Sequence, residues 1–152
     1  AMHPVRTAQE MFDAATALWP DMDMACCTAA VCDYRPQPHG PEKFKKSGSD
    51  ALTIQFTNNP DILLALGETR KDGQRLVGFA AETCDLEAQA RAKLERKHLD
   101  LVIANRIGAE GTGFASETND ALALDCAGRM ERWPNLPKTE IAWRIWDIVQ
   151  QL

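Results

Sequence analysis

Apolar and polar positions recur along this chain in two periods, and the change from one to the other marks out its elements. Met11, Phe12, Ala15 and Leu18 follow three- and four-residue spacing, the stripe of a helix packed on one side. Thr7-Ala8-Gln9-Glu10 has the form of a capping box, with Thr7 accepting from the third helical N–H and Glu10 reaching back to the cap. A helix is therefore predicted from about Ala8 and closed by Trp19-Pro20. Residues 22–31 are an apolar run between turn signals, which suits a strand buried on both faces. Residues 33–41 contain Pro36, Pro38 and Pro41 and read as a loop at the carboxyl end of that strand.

Residues 43–46 and 52–56 flank Ser47-Gly48-Ser49-Asp50 as the arms of a hairpin, with Lys43 and Lys45 on one face. Asn59-Pro60-Asp61 then offers a cap, a first-turn proline and a carboxylate at the positive end of a helix dipole, followed by Ile62, Leu63, Leu64 and Leu66. Residues 75–81 and 99–105 are two more buried strands around a helix from about 86 to 97, which carries Lys93 and Lys97 one turn apart. A glycine-containing loop over 108–119 leads to a second hairpin, 121–124 with 129–133, about Gly128. The last helix begins near Lys138 and presents Ile141, Ile145, Ile148 and Leu152, flanked by Ala142, Trp146 and Val149, as a broad apolar face.

Helices alternating with apolar strands imply an α/β fold, a three-layer Rossmann-like domain with a mostly parallel sheet and a protruding hairpin. The pattern enters on a helix, without the first strand and glycine-rich turn that usually open such a domain, and no Gly-x-Gly-x-x-Gly occurs. No repeat or linker divides residues 1–152, so one domain is expected. With 45% hydrophobic residues, a chain of 152 can bury a core that needs no metal or disulfide. A net charge of −5 argues against nucleic-acid and membrane-surface partners while leaving room for a local basic site. No apolar run has the length of a spanning helix, and a cytoplasmic setting is expected.

Five cysteines without a Cys-x-x-Cys pair suggest neither a disulfide framework nor a zinc site. Cys26, Cys27 and Cys32 lie in or beside an apolar run and read as buried structural thiols. His3, His39 and His98 are far apart and flanked by loop or charged residues, so they read as solvated.

Ligands of open α/β sheets bind beyond the carboxyl ends of the strands. The sequence delivers there Thr28, Ala29 and Asp33, then Lys43, the Asn59-Pro60-Asp61-Ile62 helix start, Phe79 as ring or backbone, and Lys93 with Lys97. Small residues let a flat base or a phosphate chain approach the backbone, and several cations in an acidic chain suit a polyphosphate. Each also has a plainer reading. Lys93 and Lys97 beside Glu87 and Glu95 form a solvated face, Lys43 guards a strand edge, Asp33 starts a turn, Asn59 to Asp61 cap a helix and Phe79 fills the core.

Six ordered blocks resemble those of phosphopantothenate-cysteine ligase, the synthetase part of the bacterial bifunctional coenzyme A flavoprotein. They are Ala29-Ala30-Val31-Cys32-Asp33-Tyr34-Arg35-Pro36, Pro41-Glu42-Lys43-Phe44-Lys45-Lys46, Asn59-Pro60-Asp61-Ile62-Leu63, Gly78-Phe79-Ala80-Ala81-Glu82-Thr83, Ala92-Lys93-Leu94-Glu95-Arg96-Lys97 and Leu99-Asp100-Leu101-Val102-Ile103-Ala104-Asn105. Residues 113–119 are similar to the family's Gly-Phe-x-Ser-Asp-x-Asn, with Glu117 at the Asp, and Arg106 stands where the family usually has Asp. The resemblance implies CTP-dependent joining of 4'-phosphopantothenate and cysteine through an acyl-cytidylate, with Mg2+ and no FMN. It assigns Cys27, Thr28 and Ala29 to the nucleotide pocket, Asp33 to CTP or its metal, and Asn59, Pro60, Asp61, Ile62 and Phe79 to the nucleotide. Lys93 and Lys97 fall to the phosphates and Lys43 to catalysis from a flap. A homodimer is implied, and the family's amino-terminal Gly-Gly-Thr and Ser-Ser-Gly segments are not in this sequence. Two readings follow, a ligase whole or completed by an amino-terminal polypeptide, and a CTP-binding or dimerising remnant without turnover.

Overall fold

The computed structural model describes residues 1–38, 40, 52–82, 84–106 and 117–152. Helix α1 (Ala8–Leu18) runs into a 3-10 turn (Trp19–Asp21) and strand β1 (Met24–Cys27). There follow β2 (Tyr34–Pro36), β3 (Phe56–Asn58), α2 (Ile62–Glu68), β4 (Arg75–Glu82), α3 (Leu86–Arg96) and β5 (Leu101–Arg106). Strands β6 (Thr118–Asp125) and β7 (Met130–Pro137) and helix α4 (Lys138–Val149) complete it. Five strands form a sheet in the order β1-β4-β5-β6-β7. Strands β1, β4 and β5 pair in parallel, β6 is antiparallel to β5, and β7 is antiparallel to β6. Four of the five strands therefore share one direction, and β6 is the exception.

Strict alternation on both faces explains why the strands read as continuous apolar runs. Leu76, Ala80, Val102, Ala104, Leu122 and Leu124 face a core shared with α1, α2 and α3. Val77, Leu101, Ile103, Ala121 and Ala123 face the opposite core, closed by Ile141, Ile145, Ile148 and Val149 of α4 and by Trp133. The layers are thus three helices, the sheet, and one helix. Trp19 fixes the first layer, since its indole N–H donates to the Leu66 carbonyl at 2.9 Å and Gln74 donates to the Trp19 carbonyl at 2.8 Å. Buried Asp100 joins the strands below by accepting from the Leu76 amide at 2.7 Å and from Arg70 at 2.8 Å.

Thr7 caps α1 as predicted, accepting from the Glu10 amide at 3.1 Å, but Glu10 reaches one residue further back, to the Arg6 amide. The buried face predicted for α1 is half-buried at Met11, Phe12 and Ala15 and exposed at Leu18, because Trp19 takes the core position. The first strand is shorter than its apolar run and lies at the sheet edge; Ala25 and Cys27 are half-buried against one core and Met24 against the other, while Cys26 is exposed. The cysteine reading is corrected too: Cys32, Cys84 and Cys126 lie in irregular chain or turns and are exposed with Cys26, and only Cys27 is half-buried. On α4, Ala142 and Trp146 are exposed instead of packed, because α4 presses Ile141, Ile145 and Ile148 onto the central strands.

The proline-rich exit from β1 forms strand after all. Tyr34, Arg35 and Pro36 pair antiparallel with Asn58, Thr57 and Phe56. Of the predicted first hairpin, the first arm and turn lie outside the described residues, as do His39, Lys43, Thr83 and residues 107–116 of the predicted glycine loop; in the second arm, 52–56, only Phe56 is strand, because pairing in the β2-β3 ribbon begins there. The second predicted hairpin is β6-β7, turning at Gly128 with φ +92°. His3 and His98 are exposed, as the sequence suggests.

Candidate functional site

The carboxyl ends of β1 and β4 open into a cleft of about 1370 Å³. Every candidate residue that the structure describes lines it: Cys27, Thr28, Ala29, Asp33, Asn59, Pro60, Asp61, Ile62, Phe79, Lys93 and Lys97. Lys43 lies outside the described residues. The cleft forms because β1 stops at Cys27 and the next six residues run as irregular chain across the strand ends. Thr28 and Ala29 are exposed there, so small side chains leave the backbone open to a flat ligand.

Helix α2 begins two residues later than expected. Asp61, not Asn59, is its cap, accepting the Leu64 amide at 3.0 Å. Asn59 is taken up elsewhere: its amide nitrogen donates to the Cys32 carbonyl at 2.8 Å, its backbone N–H to the Asp33 carbonyl at 2.7 Å, and its oxygen accepts from Arg35 at 3.0 Å. Arg35 also donates to the Asn58 carbonyl at 2.8 Å. These bonds clasp the ribbon to the loop that carries Asp33, and Arg35 is a positioning residue the spacing of charges did not single out. Its only sequence signal is its place inside the Asp33-Tyr34-Arg35-Pro36 block.

Phe79 meets its plainer reading as a core side chain. The ring packs toward the α4 core, while the carbonyl accepts from the Lys93 ammonium at 2.7 Å. Ile62 likewise turns its side chain into the core. Lys97, the residue after α3, is only 7% exposed and donates to the Asp61 carboxylate. The plain reading of the two lysines as a solvated face is thus excluded for Lys97, and Lys93 is half-buried. Burial holds both ammonium groups below their ordinary value, and the Asp33 carboxylate works against that shift in both. Glu82 opposes it further at Lys93, and Arg96 adds to it.

Burial, with Cys26 beside it, pushes the Cys27 thiol up to about 11, so it stays protonated at neutral pH and is no nucleophile. Among the described residues no group of three or more His, Cys, Asp or Glu side chains could hold a metal. Asn105 and Asn119 also reach the cleft, from the ends of β5 and β6. No helix among the described residues is long and apolar enough to cross a membrane.

The sequence profile of the DNA/pantothenate metabolism flavoprotein C-terminal domain matches residues 1–152. The chain belongs to this family. It is 47% identical over 149 residues to the coenzyme A biosynthesis bifunctional protein CoaBC of Vibrio vulnificus strain CMCP6, a match covering 97% of this chain and 37% of that protein. The chain therefore spans little more than a third of that relative. The crystal structure of the C-terminal domain of a CoaBC protein superposes with a TM-score of 0.75 at 31% identity, covering 99% of this chain and 69% of that one. A mutant of Cab2 in complex with phosphopantothenate-cysteine shares the fold, with a TM-score of 0.62 at 18% identity over 86% of this chain and 45% of that one. The α/β fold read from the sequence is that of the CoaBC C-terminal domain.

Proposed function

We propose that this chain carries the nucleotide-binding part of a CTP-dependent phosphopantothenate-cysteine ligase acting in coenzyme A biosynthesis in the cytoplasm. The observation that carries the reading is the convergence of Asp33, Lys93 and Lys97 on one cleft at the strand ends, in a family whose CoaBC members serve that pathway.

The chemistry asks the protein for positioning and electrostatics. The carboxylate of 4'-phosphopantothenate attacks the α-phosphorus of CTP, the bond to pyrophosphate breaks, and an acyl-cytidylate forms. The amine of cysteine then attacks the acyl carbon, loses a proton, and CMP leaves. Lys93 and Lys97 neutralise the triphosphate and the charge developing at phosphorus. Thr28 and Ala29 admit the base against the backbone, and Lys43, by resemblance, closes over the acyl-cytidylate. Magnesium commonly rests on one or two carboxylates plus phosphate oxygens, so a single Asp33 fits an ion that arrives with the nucleotide. When bound, that ion supplies charge neutralisation at the phosphates.

The reading extends to a homodimer. Tyr34, Leu52, Ile54 and Phe56 are large apolar side chains between 47% and 63% exposed on the ribbon and the segment leading into it, and a second copy offers the same patch.

A product assay with phosphopantothenate, cysteine and Mg·CTP tests the function, on the chain alone and with an amino-terminal fragment of a CoaBC relative added. Phosphopantothenoylcysteine is expected in at least the second arm. CTP binding without product in either arm would leave a non-catalytic nucleotide-binding domain, and neither binding nor product would refute the reading.

A further inference from the structure

Asp61 divides its carboxylate between two tasks. One oxygen caps α2 through the Leu64 amide at 3.0 Å, and the other receives the Lys97 ammonium. The two partners differ in exposure, with the Asp61 side chain 44% exposed and that of Lys97 9%. A cation so enclosed needs a fixed acceptor, because removing its partner leaves a buried charge without compensation. Lysine is otherwise a mobile point charge on a four-carbon stem, with no planar fork to set its direction.

The opposite end of α2 holds the same residue by its backbone. Gly67 packs so closely on the Lys97 carbonyl that an added Cβ would stand 3.1 Å from its carbon and nearer still to its oxygen. Helix α2 thus grips Lys97 at both ends, by the carboxylate of its cap and by the bare backbone of its last turn. Lys93, one turn earlier on α3, is oriented independently by the Phe79 carbonyl.

We propose that Asp61 is a positioning residue that holds the Lys97 ammonium at the wall of the cleft, ready to meet a phosphate chain. The carboxylate acts through Lys97 and requires no contact of its own with the ligand. The anion-binding part of this inference rests on the nucleotide reading, whereas the orientation of Lys97 is measurable without any ligand.

Asp61→Asn is the informative variant, since its amide oxygen can still accept the Leu64 N–H while the charge is gone. Titration calorimetry with Mg·CTP and with inorganic pyrophosphate is expected to show affinity for both lowered by roughly tenfold or more, the scale of a hydrogen bond to a charged group. Asp61→Asn in a Lys97→Gln background should add no further loss, because the first effect runs through the second residue. A structural tie between α2 and α3 alone would lower the melting temperature and leave affinity at saturating fold unchanged. Unchanged or tighter binding in Asp61→Asn, or additive losses in the double variant, would overturn the proposal. If the wild-type chain binds neither probe, the nucleotide reading fails, and the Lys97 ammonium resonance then decides by NMR. It should be protected from exchange in the wild type and lost in Asp61→Asn, and its persistence there would overturn the positioning role.

Discussion

Gly67 sits one residue before the end of α2 with ordinary helical backbone, so by propensity alone an alanine there should stabilise the helix by about 1 kcal/mol. The packing argues the reverse. A Cβ at Gly67 would stand 3.1 Å from the Lys97 carbonyl carbon and 3.3 Å from the His98 Cβ, and closer still to the Lys97 oxygen. The obstacle is backbone, which cannot rotate away, so α2 must shift from the end of α3. Overpacking of this kind costs about 1–3 kcal/mol. The shift would also strain the bond from the Trp19 indole to the Leu66 carbonyl, 2.9 Å long and buried, worth about 1 kcal/mol. Set against the propensity gain, Gly67→Ala should destabilise by about 1–3 kcal/mol, or lower the melting temperature by roughly 3–10 °C in a domain of this size. Gly78→Ala is the comparison, because its Cβ would meet Leu63 Cδ2 and Leu99 Cδ1 at 2.8 Å. Those are ends of flexible side chains that can give, so the loss should be smaller. Urea and thermal unfolding of the two variants measure both. A Gly67→Ala chain as stable as the wild type, or a larger loss at Gly78, would refute the account of how α2 is seated.

Lys93→Ala should weaken Mg·CTP binding by roughly tenfold in calorimetry, with little change in fold, since among the described residues its one hydrogen bond is to the Phe79 carbonyl; equal affinity would remove Lys93 from the site. The buried ammonium also predicts a pH dependence. Burial lowers the Lys93 value below 10.5, so between the two values the unfolded chain binds more protons than the folded one, and stability from this group rises with pH across that window. Anion affinity should fall over the same window as the folded lysine loses its charge, and pyrophosphate titrations approaching pH 10.5 that stay flat would contradict it. If the proposed homodimer forms through the exposed ribbon, light scattering should give a dimer mass for the wild type and a monomer mass for Phe56→Asp; a monomeric wild type, or a dimer that Phe56→Asp leaves intact, would refute that interface.

Most of the architecture was legible because both faces of β4, β5 and β6 are buried, which writes an uninterrupted apolar run into the sequence. The edge strand misled for the same reason. Met22 to Val31 looks like a central strand by composition, yet only Met24 to Cys27 pair, and within them Cys26 is exposed. Ala142 and Trp146 share a helical stripe with Ile141 and Ile145, and periodicity cannot tell which flank of a broad stripe faces a cleft. The cap at Asp61 was hidden by Asn59, a residue equally fit to cap; what decides is that Asn59 is occupied by Cys32 and Arg35, partners distant in the chain. Strands of three residues such as β2, ending on Pro36, are too short for any period to register. The residues that line the cleft were picked out by block resemblance and strand-end logic, but their partners were not, because a pairing such as Asp61 with Lys97 joins two helices through tertiary packing.

A chain of net charge −5 that keeps two lysines half-buried or buried in one cleft must restrain them, and the restraint also defines the site. Burial disfavours both cations, and the acceptors that offset it are of two kinds. The Phe79 carbonyl and the Asp61 carboxylate touch them directly, while Asp33 acts at longer range on both. The direct acceptors fix direction, and the distant carboxylate favours the charged state without occupying the donors. Each ammonium has three N–H groups, and one is spent in each case on a described partner. The remaining capacity suits a ligand that brings several acceptor oxygens at once, which a polyphosphate does and a single carboxylate does not. The same arrangement explains why the acidic surface and the cationic cleft do not conflict: of the carboxylates that give the chain its charge, Asp33 favours the charged form of both lysines and Asp61 pairs with one of them.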